Sequence, residues 1–342
     1  MASPIDPGSN GASPFISRYV HILSEELRIK PAPSFREAIY EVEYRILVEK
    51  PGKQIPLLFY AFDLKDDFQV WLDGNEIETS ELPEEYFEEQ DSSLADFQYL
   101  FDKNESKTVA IHWSQGEWEQ CAYSDLRFFE MPLEVGEHRI RVRYRARSWV
   151  DRSDWVKRYT SRYSLSPAKH WKSFGELTVI VEENTAPGTL TCNLGAAHSG
   201  SLNGEARWKF DSLPGNSLEL YYDPPISSWA KTCISIGPDG MAYSFGLLLF
   251  CLHLVAMLAY RKRQPQARVS WVALLGIFLA PFLFLLVRSL SYEWIDGVIG
   301  TEAGRWHGYS ILYLFLYPIY LAAYAVVAIV IDFFMKKHFL NA

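Results

Sequence analysis

Residues 241–260 read MAYSFGLLLFCLHLVAMLAY and contain no formally charged side chain. A helix of about 20 residues spans about 30 Å, which is the thickness of the hydrocarbon core of a bilayer. We therefore predict a transmembrane helix over 241–260. This stretch divides the chain into a polar, patterned region before it and a mostly apolar region after it.

Two further apolar stretches follow this first predicted span. Residues 269–290 read VSWVALLGIFLAPFLFLLVRSL, and residues 309–334 read YSILYLFLYPIYLAAYAVVAIVIDFF. Each contains one proline, Pro281 or Pro318, at which we expect the helix to bend. The sequence thus predicts three transmembrane helices followed by a short tail, 335–342, with the lipid bilayer as the first partner.

Basic residues near the spans predict the orientation of the chain. The first loop, residues 261–268, reads RKRQPQAR, and the tail carries Lys336 and Lys337. Short loops rich in lysine and arginine stay on the cytoplasmic side. We expect an integral protein of the plasma or inner membrane, with the N-terminal region outside or periplasmic and the C-terminus cytoplasmic.

The N-terminus does not support export in an obvious way. Its first 20 residues, MASPIDPGSNGASPFISRYV, contain no apolar core of the kind found in secretory signal peptides. Three alternatives stay open: a signal segment absent from this sequence, a misassigned start, or a cytoplasmic N-terminal region that violates the charge rule.

The region before the spans is patterned for β-strands. Residues 38–49, AIYEVEYRILVE, alternate apolar and charged side chains with the period of two of a half-buried strand. Similar segments recur up to NSLELYY, separated by turn residues. We predict an antiparallel β-sandwich over 31–236, either one large sandwich or two small ones with a boundary near 147–166, where the alternation lapses.

The N-terminal segment, 1–30, is expected to be partly irregular. Within it, SRYVHILSEELRI at 17–29 is the one stretch of the polar region that also fits a helix.

Composition restricts the function. The chain has 342 residues, of which 49% are hydrophobic and 22% charged, with a formal net charge of −9. This composition argues against intrinsic disorder and against general nucleic-acid binding, so no nucleic-acid partner is predicted. The four cysteines contain no CxxC pair, which argues against a zinc ribbon or a thioredoxin-like site.

Motifs for catalysis are lacking. The sequence has no G-x-S-x-G, H-E-x-x-H, Walker A or G-x-G-x-x-G motif. We therefore predict no catalytic residues, no bound metal and no enzymatic activity. Cys192 and Cys233 could form a disulfide if they lie outside the cell, and free thiols are the alternative.

An arginine stripe is the most distinctive feature of the polar region. It occupies every second position of one predicted strand and therefore shares one face. One interpretation is a solvated face whose arginines pair with glutamates such as Glu41 and Glu43 on a neighbouring strand. The other is a docking face for an acidic partner or for lipid headgroups. The members of the stripe are Arg139, Arg141, Arg143, Arg145 and Arg147.

A tyrosine stripe follows the third predicted span at helical spacing. Its hydroxyls need partners in hydrocarbon, so we expect it to face other helices of this chain or of a neighbouring subunit. A groove for a lipid, quinone or pigment tail is the alternative. The stripe consists of Tyr309, Tyr313, Tyr317, Tyr320 and Tyr324.

His253 lies near the centre of the first span, where an imidazole is costly. It is the one candidate cofactor-binding residue, as a ligand of haem iron or chlorophyll magnesium. A hydrogen bond to a tyrosine of the third span is the other interpretation. No cofactor is predicted outright, while contact with a lipid, a quinone, a (bacterio)chlorophyll or a carotenoid stays an alternative.

These features favour a non-catalytic accessory or scaffold subunit of an integral membrane complex. Its extracytoplasmic β-sandwich would be the interaction surface, with other integral membrane subunits as partners. One alternative is a membrane-anchored sensor or a carbohydrate- or peptide-binding module that uses Trp149, Trp155 and Trp171. The second alternative is a cofactor- or pigment-holding subunit of an electron-transfer or photosynthetic complex.

Overall fold

The computed structural model describes most of the chain, and it forms two compact units. The first unit comprises Met1–Asp151 and Arg158–Pro224, and the second comprises Arg152–Lys157 and Pro225–Ala342. The first consists of strands, and the second is mainly helical. The described residues are 3–4, 19–60, 68–80, 100–101, 108–114, 117–122, 126–165, 171–183, 185–305 and 307–341.

The strands, in chain order, have the following bounds. They are β1 (Ser3–Pro4), β2 (Val20–Pro31), β3 (Glu37–Val48), β4 (Gly52–Tyr60), β5 (Gln69–Leu72), β6 (Asn75–Ile77), β7 (Leu100–Phe101), β8 (Thr108–Ser114), β9 (Glu117–Ala122), β10 (Leu126–Leu133), β11 (Gly136–Arg147), β12 (Trp149–Asp151), β13 (Arg158–Ser164), β14 (Ser173–Val181), β15 (Thr189–Cys192), β16 (Ser199–Gly200), β17 (Ala206–Phe210) and β18 (Ser217–Asp223).

Among the described residues, eight strands form the largest sheet, in the order β16-β17-β14-β2-β3-β11-β5-β6. Its neighbours are antiparallel except for β14 and β2, which run parallel. The long strands β2, β3 and β11 have 12 residues each and alternate buried with more exposed side chains. This alternation gives the sheet one apolar face and one polar face.

A second sheet, β12-β13-β18-β15, completes the core. One apolar cluster contains Leu27 and Val142 of the larger sheet together with Leu218 and Leu220 of the smaller one. The predicted fold class, a mainly β region followed by three long apolar helices, is confirmed. Two three-stranded sheets, β1-β4-β10 and β7-β8-β9, belong to the same unit.

The region 147–166 does not divide the β unit in two. The apolar cluster joins residues on both sides of it, for example Val142 and Leu177, so the two larger sheets share one core among the described residues. Instead, the short segment Arg152–Lys157 leaves the β unit and belongs to the helical one. This departure explains why the alternation lapses there.

The helical interpretation of residues 17–29 was wrong for its described part, 20–29, while the expectation that 1–30 is partly irregular stays a prediction. Residues 20–29 form most of β2, a central strand paired with β3 and β14. A register shift between Ile22 and Ser24 inserts an extra residue into the strand. Such a bulge interrupts the period of two, and the resulting spacing resembles that of a helix. Residues 5–18 lie outside the described part of the chain.

The helical unit contains α1 (Ser228–Arg263), α2 (Trp271–Ile299) and α3 (Tyr317–Asn341). All three belong to segments long and apolar enough to cross a membrane, with mean hydropathies of 2.0, 2.2 and 2.3. Helix α1 begins before the predicted span. It is interrupted at Gly237, which has a φ of 65° and comes directly before Pro238. Helix α2 continues past the predicted end at residue 290.

The third span begins as a 3-10 helix, Gly308–Leu316, which continues directly into α3. Pro318 explains the change of helix type. It has no N–H to donate to the carbonyl of Leu314 four residues earlier. The N–H of Tyr317 bonds that carbonyl instead, with the shorter 3-10 spacing.

A carboxyl group is buried inside the sandwich. The Glu25 side chain on β2 is only 1% exposed. Its Oε1 accepts a hydrogen bond of 2.8 Å from the Tyr163 hydroxyl, which lies 2.9 Å from the Tyr44 hydroxyl. Burial raises the pKa of Glu25 to about 7, an effect that the hydrogen bond from Tyr163 opposes.

Glu25→Gln should remove a pH dependence of stability. Above the unfolded-state pKa of 4.5, the unfolded chain releases this proton while the folded chain retains it up to about pH 7. The contribution of Glu25 therefore weakens the folded state as pH rises through this window, by about 3 kcal/mol in total. Hydrogen exchange of the β-strand amides at pH 4.5 and pH 7.5 measures the effect.

The matched control is Glu26→Gln, the neighbouring and more exposed carboxylate on the same strand. We expect the free-energy difference between wild type and Glu25→Gln to change with pH, and that for Glu26→Gln to change much less. A pH-independent difference for Glu25→Gln would contradict the burial of an uncharged carboxyl at this position.

Candidate functional site

The His253 side chain joins all three membrane helices. Its Nε2 lies 3.2 Å from the carbonyl oxygen of Val272, and its Nδ1 lies 2.8 Å from the Tyr324 hydroxyl. Because a carbonyl only accepts, the proton resides on Nε2, and Nδ1 accepts from tyrosine. Both ring nitrogens are engaged, so ligation of a haem or chlorophyll metal would require one of these bonds to break.

Gly276 on α2 makes room for this imidazole. A Cβ at that position would lie 2.1 Å from Nε2 of His253. The ring is held on both sides by hydrogen bonds and cannot turn away without losing one. The close approach of α1 and α2 at this level therefore depends on the absence of a side chain.

The tyrosine stripe packs mainly against helices of this same chain. The hydroxyl of Tyr317 donates a hydrogen bond of 3.0 Å to a backbone carbonyl, and that of Tyr324 bonds His253. Tyr309, by contrast, is 71% exposed. A role of the stripe in contacts with other subunits stays a prediction. The contacts along the stripe are Tyr313 with Arg288, Tyr317 with Phe278, Tyr320 with Phe284 and Tyr324 with His253.

Two ion pairs lie near opposite ends of α1. The Arg261 side chain, 1% exposed, donates from Nε to Asp332 on α3 at 2.8 Å, and its Nη2 pairs with the other carboxylate oxygen. Arg288 on α2 donates to Asp239 on α1 at 2.6 Å. The largely buried side chains of Arg261 and Arg288 are thus each paired with a carboxylate.

The arginine stripe lies on the polar face of the large sheet. Its arginines contact glutamates of the adjacent strand β3, and the closest nitrogen–oxygen distances are 3.2–3.6 Å. Exposed pairs of this kind each contribute about 0–1 kcal/mol to stability. The pairs are Arg139 with Glu43, Arg141 and Arg143 with Glu41, and Arg145 with Glu37, while Arg147 lies opposite Glu37 in the register.

Cys192 and Cys233 are both free thiols in this structure, and a disulfide between them stays a prediction. The sulfur of Cys192 accepts from the Leu194 N–H at 3.4 Å, and burial raises the pKa of this thiol to about 11. Cys233 is fully buried within α1. Burial of the Cys192 sulfur disfavours the thiolate through which disulfides form.

The three tryptophans considered for ligand binding are occupied by other contacts. The Trp149 ring lies 4.5 Å from the guanidinium carbon of Arg162, and Trp171 is 9% exposed. Trp155 stacks on aromatic side chains of the helical unit. The carbohydrate- or peptide-binding alternative stays a prediction.

Sequence reasoning missed the docking of the segment Arg152–Lys157 within the helical unit. The Lys157 N–H donates to the Glu302 carbonyl, and the Gly304 N–H donates to the Trp155 carbonyl, both at 2.9 Å. A Cβ on Gly304 would lie 2.7 Å from a backbone oxygen of this segment. The segment thus adds a short strand-like pairing to the loop after α2.

An aromatic cluster beside this pairing borders a pocket. The His307 ring lies between Trp155 and Tyr292, at centroid distances of 4.5 and 4.8 Å. The pocket has a volume of about 550 Å³ and is lined by residues from the end of α2 to the end of the 3-10 helix. The aromatic residues between the second and third predicted spans, 291–308, were a sequence signal for this pocket. Their pairing with Trp155 has no signature in the sequence.

Comparisons with known proteins yield only distant likenesses. No protein-family model and no curated protein matches the chain. A yeast leukotriene A4 hydrolase structure has 10% identity and a TM-score of 0.35 over 61% of this chain and 30% of its own. A Legionella pneumophila protein named for proposed nutrient binding has 10% identity and a TM-score of 0.37, covering 89% and 96%. A zinc metallopeptidase from Deinococcus radiodurans has 11% identity and a TM-score of 0.32, covering 61% and 45%.

Gly276→Ala should destabilise the helical unit. The added methyl group collides with the His253 ring, so the hydrogen bond to Tyr324 or the packing of α1 on α2 must give way. Overpacking of this kind costs about 1–3 kcal/mol. Thermal unfolding of the helical signal in detergent measures the change.

Gly297→Ala on the same helix is the matched control, because no atom lies within 4 Å of the position that its Cβ would occupy. We expect it to be neutral or to stabilise the helix by up to about 1 kcal/mol. Equal effects of the two substitutions would exclude the specific role of Gly276.

Proposed function

We propose that this chain is a non-catalytic accessory or scaffold subunit of an integral membrane complex. Its β-sandwich serves as the interaction surface, and its three helices anchor it in the membrane. The partner is another integral membrane subunit with an acidic surface. The arginine stripe is the contact surface for that partner.

The observation that carries this proposal is the unequal pairing of the stripe. Among the described residues, its five arginines face three glutamates on β3, because Glu41 contacts both Arg141 and Arg143 and Glu37 lies beside Arg145 and opposite Arg147. On the other side of β11, the register places Trp71 and Gln69 opposite Arg141 and Arg143, and neither is acidic. Counted over β3 and β11, this face therefore carries more arginines than glutamates.

Exposure supports the same conclusion. The paired arginine side chains of the stripe are 38–63% exposed. A guanidinium has five N–H donors, and a single carboxylate contact leaves several of them available. An acidic partner surface would engage these donors and compensate the excess charge, which favours selective association and faster encounter.

Reversal of Arg141 and Arg143 to glutamate should release the partner. The change turns attraction into repulsion at the centre of the stripe, and added salt should weaken the wild-type complex as well. Co-purification from membranes in a mild detergent measures partner retention. Arg141→Gln with Arg143→Gln should give a smaller loss, since it removes charge without creating repulsion.

The matched control reverses Arg207 and Lys209 on β17. They are exposed and lie on the polar face of the same sheet, four strands from β11, or about 19 Å at about 4.8 Å per strand. We expect this variant to retain the partner. Unchanged retention by folded variants of the stripe would contradict the proposed contact surface.

The proposed orientation places the β-sandwich outside or in the periplasm. The loop between α1 and α2 is the main support, because Lys262, Arg263 and Arg268 are exposed there. Arg261, although in the same basic cluster, is compensated by Asp332. Exposed basic residues at this loop favour a cytoplasmic location for it and for the C-terminus.

A cysteine at Gln264 should remain unlabelled by an impermeant thiol reagent in intact cells and react after permeabilisation. The experiment uses a background in which the native cysteines are alanine. Gly215→Cys, at an exposed turn of the β unit, is the control and should react in intact cells. Labelling of Gln264→Cys without permeabilisation would reverse the orientation.

A further inference from the structure

The pocket lies towards the C-terminal end of α2, a helix long enough to cross the hydrocarbon core of a bilayer. Tyr292 follows Trp271 by 21 residues, which is about 31 Å along an α-helix and matches the hydrocarbon thickness. Trp229 and Trp294 contact each other at this same end of the helical unit, with ring centroids 6.2 Å apart. Tryptophan and tyrosine are enriched at the membrane–water interfaces of membrane proteins.

The 3-10 helix Gly308–Leu316 builds one wall of the pocket. In a 3-10 helix, side chains three residues apart are eclipsed. Tyr309 and Leu312 therefore form one straight row, and Tyr313 and Leu316 form a neighbouring row. All four side chains line the pocket. At about 2 Å per residue, this helix extends about 16 Å from Gly308. The wall thus changes from polar to apolar with depth.

The upper part of the pocket holds a cationic group, Arg305, and the ring of His307. Arg305 lines it, is exposed, and makes no ion pair with any described residue. The His307 side chain is 5% exposed, and its Nε2 has no hydrogen-bond partner among the described residues. The Asp296 carboxylate lies 3.4 Å from this nitrogen. Among the described residues, no carboxylate forms an ion pair with Arg305.

We propose that this pocket binds one anionic phospholipid of the surrounding leaflet. The phosphate contacts Arg305 and His307, and an acyl chain lies along Leu312 and Leu316. This site goes beyond the proposed function and uses no residue of the arginine stripe.

The chemistry of the pocket selects this occupant. Guanidinium groups form strong charge-assisted hydrogen bonds with phosphate oxygens. An apolar wall continuing below the cations fits an amphiphile better than it fits free phosphate. A volume of about 550 Å³ falls within the range of about 300–1,000 Å³ typical of small-molecule sites. The bilayer supplies such a ligand at high local concentration.

The test uses the full chain in nanodiscs of equal phosphatidylcholine and phosphatidylglycerol. The protein is released into detergent and weighed by native mass spectrometry. We expect wild type to retain one phosphatidylglycerol. Arg305→Gln combined with His307→Gln should lower that retention about tenfold or more, as expected for the loss of a charge-assisted hydrogen bond.

Two further variants test whether the pocket itself holds the lipid. Arg263→Gln removes an exposed charge at the opposite end of α1 and should leave retention unchanged. Leu316→Trp fills the apolar part of the pocket while both polar groups remain, so it should reduce lipid retention. If the double variant melts at a lower temperature than wild type, lipid retention is judged from Arg305→Gln alone. That side chain is exposed, so its replacement should not affect folding.

Other outcomes would overturn the proposal. Equal retention of both lipids, unaffected by Arg305→Gln, would show that no anionic lipid site exists here. Displacement of the lipid by millimolar inorganic phosphate, with full retention in Leu316→Trp, would assign the pocket to free phosphate. A failed partner-release experiment on the arginine stripe leaves this result untouched, so the two proposals fail separately.

Discussion

Polar groups that are buried away from water need hydrogen-bond or ion-pair partners inside the protein. This requirement governs both units of this protein. In the sandwich, burial raises the pKa of Glu25 to about 7, and its carboxyl accepts a hydrogen bond from Tyr163. In the helical unit, His253 bonds Tyr324, and Arg261 pairs with Asp332. These bonds join α1 to α3, and without them the helices would expose isolated polar groups to hydrocarbon.

Backbone geometry determines where such partners can meet. Gly276 permits α2 to approach the His253 ring, and Gly304 permits the segment Arg152–Lys157 to pair with the loop after α2. Pro318 converts the start of the third span to 3-10 geometry and so aligns two rows of side chains along the pocket. Three local backbone features thus shape most of the membrane unit.

The predictions from the sequence agree with the structure where they rest on interactions between residues close together in the chain. The alternation in 38–49 and the apolar run 241–260 correctly predicted a strand and a long apolar helix, because each pattern is local. The helical interpretation of 17–29 failed because a single bulged residue shifts the period of β2. The 3-10 helix before Pro318 was also missed, since the tyrosine spacing alone fits an α-helix.

The sequence by itself determined the division into a β region and three apolar helices, the shared face of the arginine stripe, and the need of the tyrosine hydroxyls for partners. Only the tertiary structure decided which residues those partners are. His253 and Tyr324 lie 71 positions apart, as do Arg261 and Asp332. The stacking of Trp155 on His307 likewise joins distant parts of the chain. Periodicity records which way a side chain faces, whereas contacts between distant residues depend on the path of the whole chain.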